Sequence, residues 1–131
     1  MIPKGFQLAG TRCGLKNKRN DLGLIYCPEP ASVAGVFTTN LVHASCVDFT
    51  RAVVGNGRMQ AMVVNSGNAN CCTGLQGERD TARMAELVAS ALGIDKALVG
   101  VASTGVIGKL IDMAKVEKGI ADAATKLSND P

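Results

Sequence analysis

The chain has 131 residues, a formal net charge of +3, 47% hydrophobic and 19% charged residues, enough for one small domain with a real core. With aromatics at 3%, no Trp and a densest basic run of only Lys16-Asn-Lys-Arg19, it lacks both the stacking platforms and the concentrated charge of a nucleic-acid binder. The low charge content suits a surface partly covered by another chain. The first thirty residues read as turn-rich, with a short strand at Leu22-Gly-Leu-Ile-Tyr26 closed by Pro28 and Pro30. A second strand is expected over Ala31 to Phe37, ended by Thr38-Thr-Asn40, and a third near Cys46 to Val54. Gly55-Asn-Gly57 is a turn, because these residues accept positive φ cheaply.

Gln60 to Val64 is the next strand and runs into a polar loop, Asn65-Ser-Gly-Asn-Ala-Asn-Cys-Cys-Thr-Gly74. Thr73, with Gln76 three residues on, is placed to cap a helix from Glu78 to Leu92. That helix carries an apolar stripe of Thr81, Met84, Ala85, Val88, Ala91 and Leu92, has Glu78 and Asp80 in its first turn, and stops at Gly93. Ala97 to Ala102 is the best buried-strand candidate. A last helix begins after Asp112, with Met113, Val116, Ile120, Ala123 and Leu127 as its seam, and is stopped by Ser128-Asn-Asp-Pro131. Strands in the first half and alternating strands and helices in the second predict a mixed α/β layered unit.

The five cysteines, at 13, 27, 46, 71 and 72, are odd in number and form no C-x-x-C pair, which reads as a reduced intracellular protein. His43 and Cys46 lack further nearby metal ligands, and His43 is the single histidine, so neither a zinc site nor a thiol triad through Cys71 or Cys72 has its parts. No apolar run spans a membrane and the N-terminus lacks a signal-peptide core, which makes the cytoplasm the default compartment.

Chemistry concentrates in Val101-Ala-Ser-Thr-Gly-Val-Ile-Gly108. Gly100 to Gly105 has the first spacing of a phosphate loop, but Val106 and Ile107 stand where Lys and Ser/Thr are needed. Gly55-Asn-Gly57 starts like a dinucleotide fingerprint, but Gln60 takes the third glycine position. Thr104 and Gly105 suit a neutral oxyanion hole, a hydroxyl and an N–H aimed at the charge that acyl transfer develops, although by residue type alone a structural turn is the first reading. Alternation sends Ser103 to the opposite side of the strand. Asn65, Asn68 and Asn70 can satisfy turns and buried backbone or hold a polar substrate, while Gly67 and Gly74 serve backbone geometry.

Four ordered segments carry a resemblance: Gly35-Val-Phe-Thr-Thr-Asn40, Val63-Val-Asn-Ser-Gly-Asn-Ala-Asn70, Cys72-Thr-Gly-Leu-Gln-Gly77 and Ala102-Ser-Thr-Gly-Val-Ile-Gly108. Together with Gly5-Phe6, Gly14-Leu-Lys16 and Asp21-Leu22, they resemble the ornithine acetyltransferase (ArgJ) family over essentially the whole chain. The resemblance implies the N-terminal portion of an ArgJ/DmpA-like self-processing fold. Its precursor cleaves before a threonine that becomes the nucleophile of a β chain. The α and β chains stay together, commonly as α2β2. The implied reaction moves acetyl from N-acetylornithine to glutamate by a ping-pong route in arginine biosynthesis; acetyl-CoA is a further donor in bifunctional members, and no resident cofactor is required.

Carried over by position, Thr104 and Gly105 match the family's oxyanion pair, and Asn65 to Asn70, with Gly67, its active-site-proximal scaffold. Two departures stand out: Ala44-Ser45 where the family has Ala-Pro, and Cys71 where it often has another residue. The autoprocessing junction and nucleophile of the family do not occur in these residues, so residues 1–131 read as a single α-chain domain cut before that junction, inactive alone. The competing reading is a noncatalytic interaction module on the same scaffold.

Overall fold

The computed structural model describes residues 2–130. In chain order the elements are β1 (Gln7–Thr11), β2 (Leu22–Ser32), α1 (Ser45–Gly55), β3 (Arg58–Asn68), α2 (Gly74–Leu92), β4 (Val99–Val106) and α3 (Met113–Thr125), with a 3-10 turn at Lys96–Leu98 leading into β4. The four strands form one sheet in sequence order. β1–β2 and β2–β3 are antiparallel, and β3–β4 is parallel, as the crossover through α2 requires. The mixed α/β layering expected from the pattern is the architecture found.

Alternation along the strands builds the core. Leu22 and Leu24 of β2, Ala61 and Val63 of β3, and Val99 and Val101 of β4 are buried in one cluster with Met84, Ala85 and Val88 of α2 and Val116, Ile120 and Ala123 of α3. The opposite sheet face is more open, with Ile25 exposed. α1 lies along the outer margin of β4: the Thr50 hydroxyl donates to the Val101 carbonyl at 2.7 Å and accepts from the Val101 N–H at 2.9 Å. Both backbone groups therefore point away from β3.

The expected strand near Cys46 to Val54 is a helix, α1. Its buried residues, Cys46, Thr50 and Val53, follow helical spacing, but its Val and Thr content favours a strand locally, and packing against β4 overrides that preference. The expected strand from Ala31 to Phe37 is also corrected. β2 continues through Pro28 and Pro30 to Ser32, and no regular structure follows. The prolines fit because β1 pairs only with Leu22 to Tyr26, and the β3 register shifts between Tyr26 and Ala31. β1 itself lies in the stretch read as turns.

α2 begins at Gly74, so Glu78 and Asp80 fall beyond the first turn, and the dipole argument for them does not apply. Thr73 occupies the N-cap position but makes no side-chain cap; its hydroxyl donates to Asn70 Oδ1 at 2.9 Å, and Gln76 turns to Asp80 instead. Gly93 ends α2 in the left-handed conformation, with φ 66°. Asp112 caps α3 by accepting the Lys115 N–H. Val116, Ile120 and Ala123 are buried as expected, with Met113 and Leu127 packed against the cluster. Pro131, read as part of the terminator, lies outside the described residues.

Candidate active-site surface at the ends of β3 and β4

The parallel register sets the polar segments side by side. Asn65 pairs with Ser103, Ser66 with Thr104 and Gly67 with Gly105, and the ladder turns irregular at Asn68. Thr104 and Gly105 are exposed. The Thr104 hydroxyl donates to the Asn65 carbonyl at 3.3 Å, longer than an ordinary O–H···O bond and weak enough to be exchanged for another acceptor. The neighbouring Ser103 Oγ is buried, without a hydrogen-bond partner among the described residues. Beside it the Cys46 thiol is pushed up by burial, with Ser103 pulling the other way.

Gly105 has a structural requirement of its own. Its φ is 131°, and a Cβ there would overlap the Gly67 carbonyl carbon and lie 2.6 Å from the Asn68 nitrogen. Gly67, with φ 112°, is similarly confined: a Cβ would come within 3.0 Å of the Leu15 carbonyl oxygen and 3.2 Å of Lys16 Cγ. The two glycines let β3, β4 and the 12–20 loop approach one another closely.

The asparagines are consumed by backbone. Asn65 Nδ2 donates to the Asn68 carbonyl at 2.8 Å, while its buried Oδ1 has no partner among the described residues. Asn68 Nδ2 donates to the carbonyls of Lys109 and Leu110, at 2.9 and 3.1 Å, and its Oδ1 accepts the Asn70 N–H at 2.7 Å. Asn70 Nδ2 donates to the Gly77 carbonyl at 2.8 Å and to Thr81 Oγ1 at 3.0 Å. Ser45 Oγ closes the web on the carbonyls of Asn70 and Gly77. The loop is thereby fastened to the segment after β4 through Asn68 and to the first turns of α2 through Asn70.

Asp21 is a further organising residue that the sequence reading did not single out. Its carboxylate accepts the N–H groups of Cys13, Gly14 and Lys16 at 2.7, 3.1 and 2.8 Å, and its carbonyl accepts the Ser66 N–H at 2.8 Å. Burial opposes its ionisation, but the backbone donors prevail and hold the carboxyl below its ordinary range. The signal was present: an aspartate closing a polar, glycine-bearing stretch is suited to collecting backbone N–H groups.

An open depression of about 400 Å³ adjoins the asparagine loop, lined among others by His43, Asp48, Cys72 and Glu78; neither Thr104 nor Gly105 reaches it. His43 faces two acceptors there, the Asn40 carbonyl at 2.9 Å and Asp48 at 2.8 Å. The Asn40 bond first, and then Asp48, raise its pKa. Among the described residues no group of three or more His, Cys, Asp or Glu is placed to hold a metal. No described helix is long and apolar enough to cross a membrane.

A family model for ArgJ matches residues 7–130. The chain belongs to the ArgJ family. It is 48% identical over 132 residues to the arginine biosynthesis bifunctional protein ArgJ of Thermotoga neapolitana, covering 99% of this chain and 33% of that protein. With the Symbiobacterium thermophilum protein of the same name, identity is 50%, over 96% of this chain and 32% of the relative. The chain thus spans about a third of the length of these ArgJ relatives. In three dimensions it is similar to the ornithine acetyltransferase of Mycobacterium tuberculosis, solved with ornithine, at TM-score 0.93 and 40% identity, covering 96% of this chain and 69% of that one. The ArgJ crystal structure from Bacillus halodurans gives TM-score 0.88 and 44% identity, over 90% of this chain and 62% of the other.

Proposed function

We propose that this chain is the N-terminal, α-chain portion of an ornithine acetyltransferase that moves acetyl from N-acetylornithine to glutamate in arginine biosynthesis. Residues 1–131 form one domain of that assembly. The observation that carries the reading is the exposed Thr104-Gly105 pair at the end of β4, held against β3 by two glycines whose φ values are 131° and 112°. Such a site places a hydroxyl and an N–H at one point without a titratable group.

The nucleophile comes from the partner β chain, as the threonine hydroxyl exposed by autocatalytic cleavage. It attacks the acetyl carbonyl carbon of N-acetylornithine, and the negative charge moves to the carbonyl oxygen. The Thr104 hydroxyl turns from the Asn65 carbonyl to that oxygen, and the Gly105 N–H donates beside it. The proton lost by the threonine hydroxyl passes to the departing nitrogen as the C–N bond breaks, ornithine leaves as the amine, and the acetyl group stays as a threonine ester. The glutamate amine then attacks the ester, and the same two donors serve again before the hydroxyl is released. Acetyl-CoA fits the first half-reaction with its thiol as leaving group. Asn65, Gly67, Asn68 and Asn70 hold the surface rather than the substrate. The working unit is an α2β2 heterotetramer in the cytoplasm, and the α portion alone is inactive.

The test is Thr104→Ala in the full-length protein, assayed for acetyl transfer from N-acetylornithine to glutamate. Turnover should fall about 10²–10³-fold, the usual effect of removing one oxyanion donor, with cleavage and assembly intact. A rate equal to the parent's removes Thr104 from the reaction.

A further inference from the structure

Cys71 and Cys72 are neighbours in sequence, and their sulfurs lie 3.8 Å apart. They differ in access: Cys71 is buried and Cys72 is exposed, opening on the depression beside His43 and Asp48. Left-handed, non-glycine residues stand on both sides of Cys71, with φ 46° at Asn70 and 57° at Cys72. The Asn70 side chain, bonded to Gly77, Thr81 and Thr73, holds this uncommon backbone in place. Cys71 also links two other segments. It bridges to Ala44, and its carbonyl accepts the Gly108 N–H at 2.8 Å, at the end of the segment that carries Thr104 and Gly105.

We propose that Cys71 and Cys72 form a reversible redox-modification site that exchanges with low-molecular-weight disulfides and, on closing, loosens the 104–108 segment. Cys72, the accessible thiol, loses its proton and attacks one sulfur of the reagent disulfide. The reagent S–S bond breaks, a mixed disulfide forms on Cys72, and the first reagent thiol departs with the proton. Cys71 then loses its proton and attacks the Cys72 sulfur, expelling the second reagent thiol, which takes that proton. Two protein thiols are oxidised and one reagent disulfide is reduced to two thiols. Burial pushes the Cys71 thiol up, which suits it to the second, intramolecular step rather than to meeting a reagent from solution.

The product is easily reversed. Adjacent Cα atoms stand about 3.8 Å apart across a trans peptide, below the roughly 4.4–6.8 Å of ordinary disulfides, so the closed ring is strained and readily reduced. Bringing the sulfurs from 3.8 Å to bonding distance turns the Cys71–Cys72 backbone. The Cys71 carbonyl then leaves the Gly108 N–H, and the segment after β4 loses one of its ties.

The test treats the full-length protein with oxidised glutathione and reads peptide mass and amide hydrogen exchange, neither of which depends on acetyl transfer. The expected result is loss of two hydrogens on the peptide bearing both cysteines and faster exchange over residues 104–108, each reversed by dithiothreitol. Cys71→Ser should instead stop at a stable glutathione adduct on Cys72. Should that variant fail to fold, a phenylarsenical(III) titration of the parent decides whether both thiols are engaged at once: one equivalent bound with loss of both thiols is expected. No reaction, a persistent glutathione adduct on the parent, unchanged exchange over 104–108, or an arsenical that spares either thiol overturns the proposal.

Discussion

The ends of β3 and β4 are parallel neighbours built in opposite ways. β3 ends in Asn65 and Asn68, and Asn70 follows it; all three are buried, and their Nδ2 groups donate to backbone carbonyls. β4 ends in Thr104 and Gly105, both exposed, with the hydroxyl held by one bond of 3.3 Å. That web makes the first end a frame: apart from Asn65 Oδ1, the asparagine side-chain groups are bonded, so replacing one takes several buried bonds with it. The second end keeps its hydroxyl available, because giving up a long bond to a carbonyl costs little. The difference separates residues that hold a site from residues that can act in one, although both are small, polar and glycine-rich in sequence.

The contrast breaks most completely with Gly105→Ala. The added Cβ meets β3 backbone and the φ of 131° is unsuited to alanine, so the two strand ends must part. A loss of about 3 kcal/mol or more is expected from overpacking and backbone strain together, read as a lower unfolding midpoint and poor assembly of the full-length protein. Asn70→Ala attacks the frame alone. It leaves the Thr73 hydroxyl without its acceptor and takes one donor each from the Gly77 carbonyl and the Thr81 hydroxyl, which keep each other and Ser45 as partners, and about 1–3 kcal/mol should be lost in denaturant titration.

Asp21 sharpens the comparison from the side, through the loop that covers Gly67. Its folded pKa lies below the ordinary 3.8. Its contribution is therefore complete above about 3.8 and lost as pH falls through the lower, folded value. Asp21→Asn should cost about 2 kcal/mol at neutral pH and flatten the acid limb of an unfolding-versus-pH curve. Thr104→Ala has the smallest expected effect on stability, within about 0.5 kcal/mol because the residue is exposed, despite its large expected effect on turnover. A Thr104→Ala melt as depressed as that of Asn70→Ala would erase the distinction.

Much of this was readable where one local rule suffices. Most of the α2 and α3 seams, the cap at Asp112 and the stop at Gly93 follow from helical spacing and end chemistry; in α2, Ala89 is buried where Ala91 was expected, and Ala91 is exposed. α1 was hidden because its Val and Thr residues carry strand preference while its burial comes from β4, about fifty residues away. β1 was hidden because five residues, Gln7–Thr11, acquire strand character only by pairing with Leu22 to Tyr26. The motif segments were visible as polar and glycine-bearing and, by resemblance, as a family signature, but Asn65 to Asn68, read as loop, belong to β3, because pairing with β4 carries the strand past the apolar run. The wiring of these segments was not visible: Ser45 reaches Gly77, and Asn68 reaches Lys109 and Leu110, contacts that no short window contains. Thr73 shows the same limit, since its hydroxyl had a cap to make by local rules and a buried asparagine to serve in the fold.

Both lateral margins of the sheet are stoppered. At β4 the Thr50 hydroxyl occupies the outward N–H and C=O of Val101, and at β1 the backbone of Ser128 does the same for Leu8. A foreign strand has no continuous template on either flank, so the sheet resists growing sideways into a larger one or into a fibre. Bare apolar surface lies instead at the tip of β4 and just beyond it, where Val106, Ile107 and Leu110 are exposed.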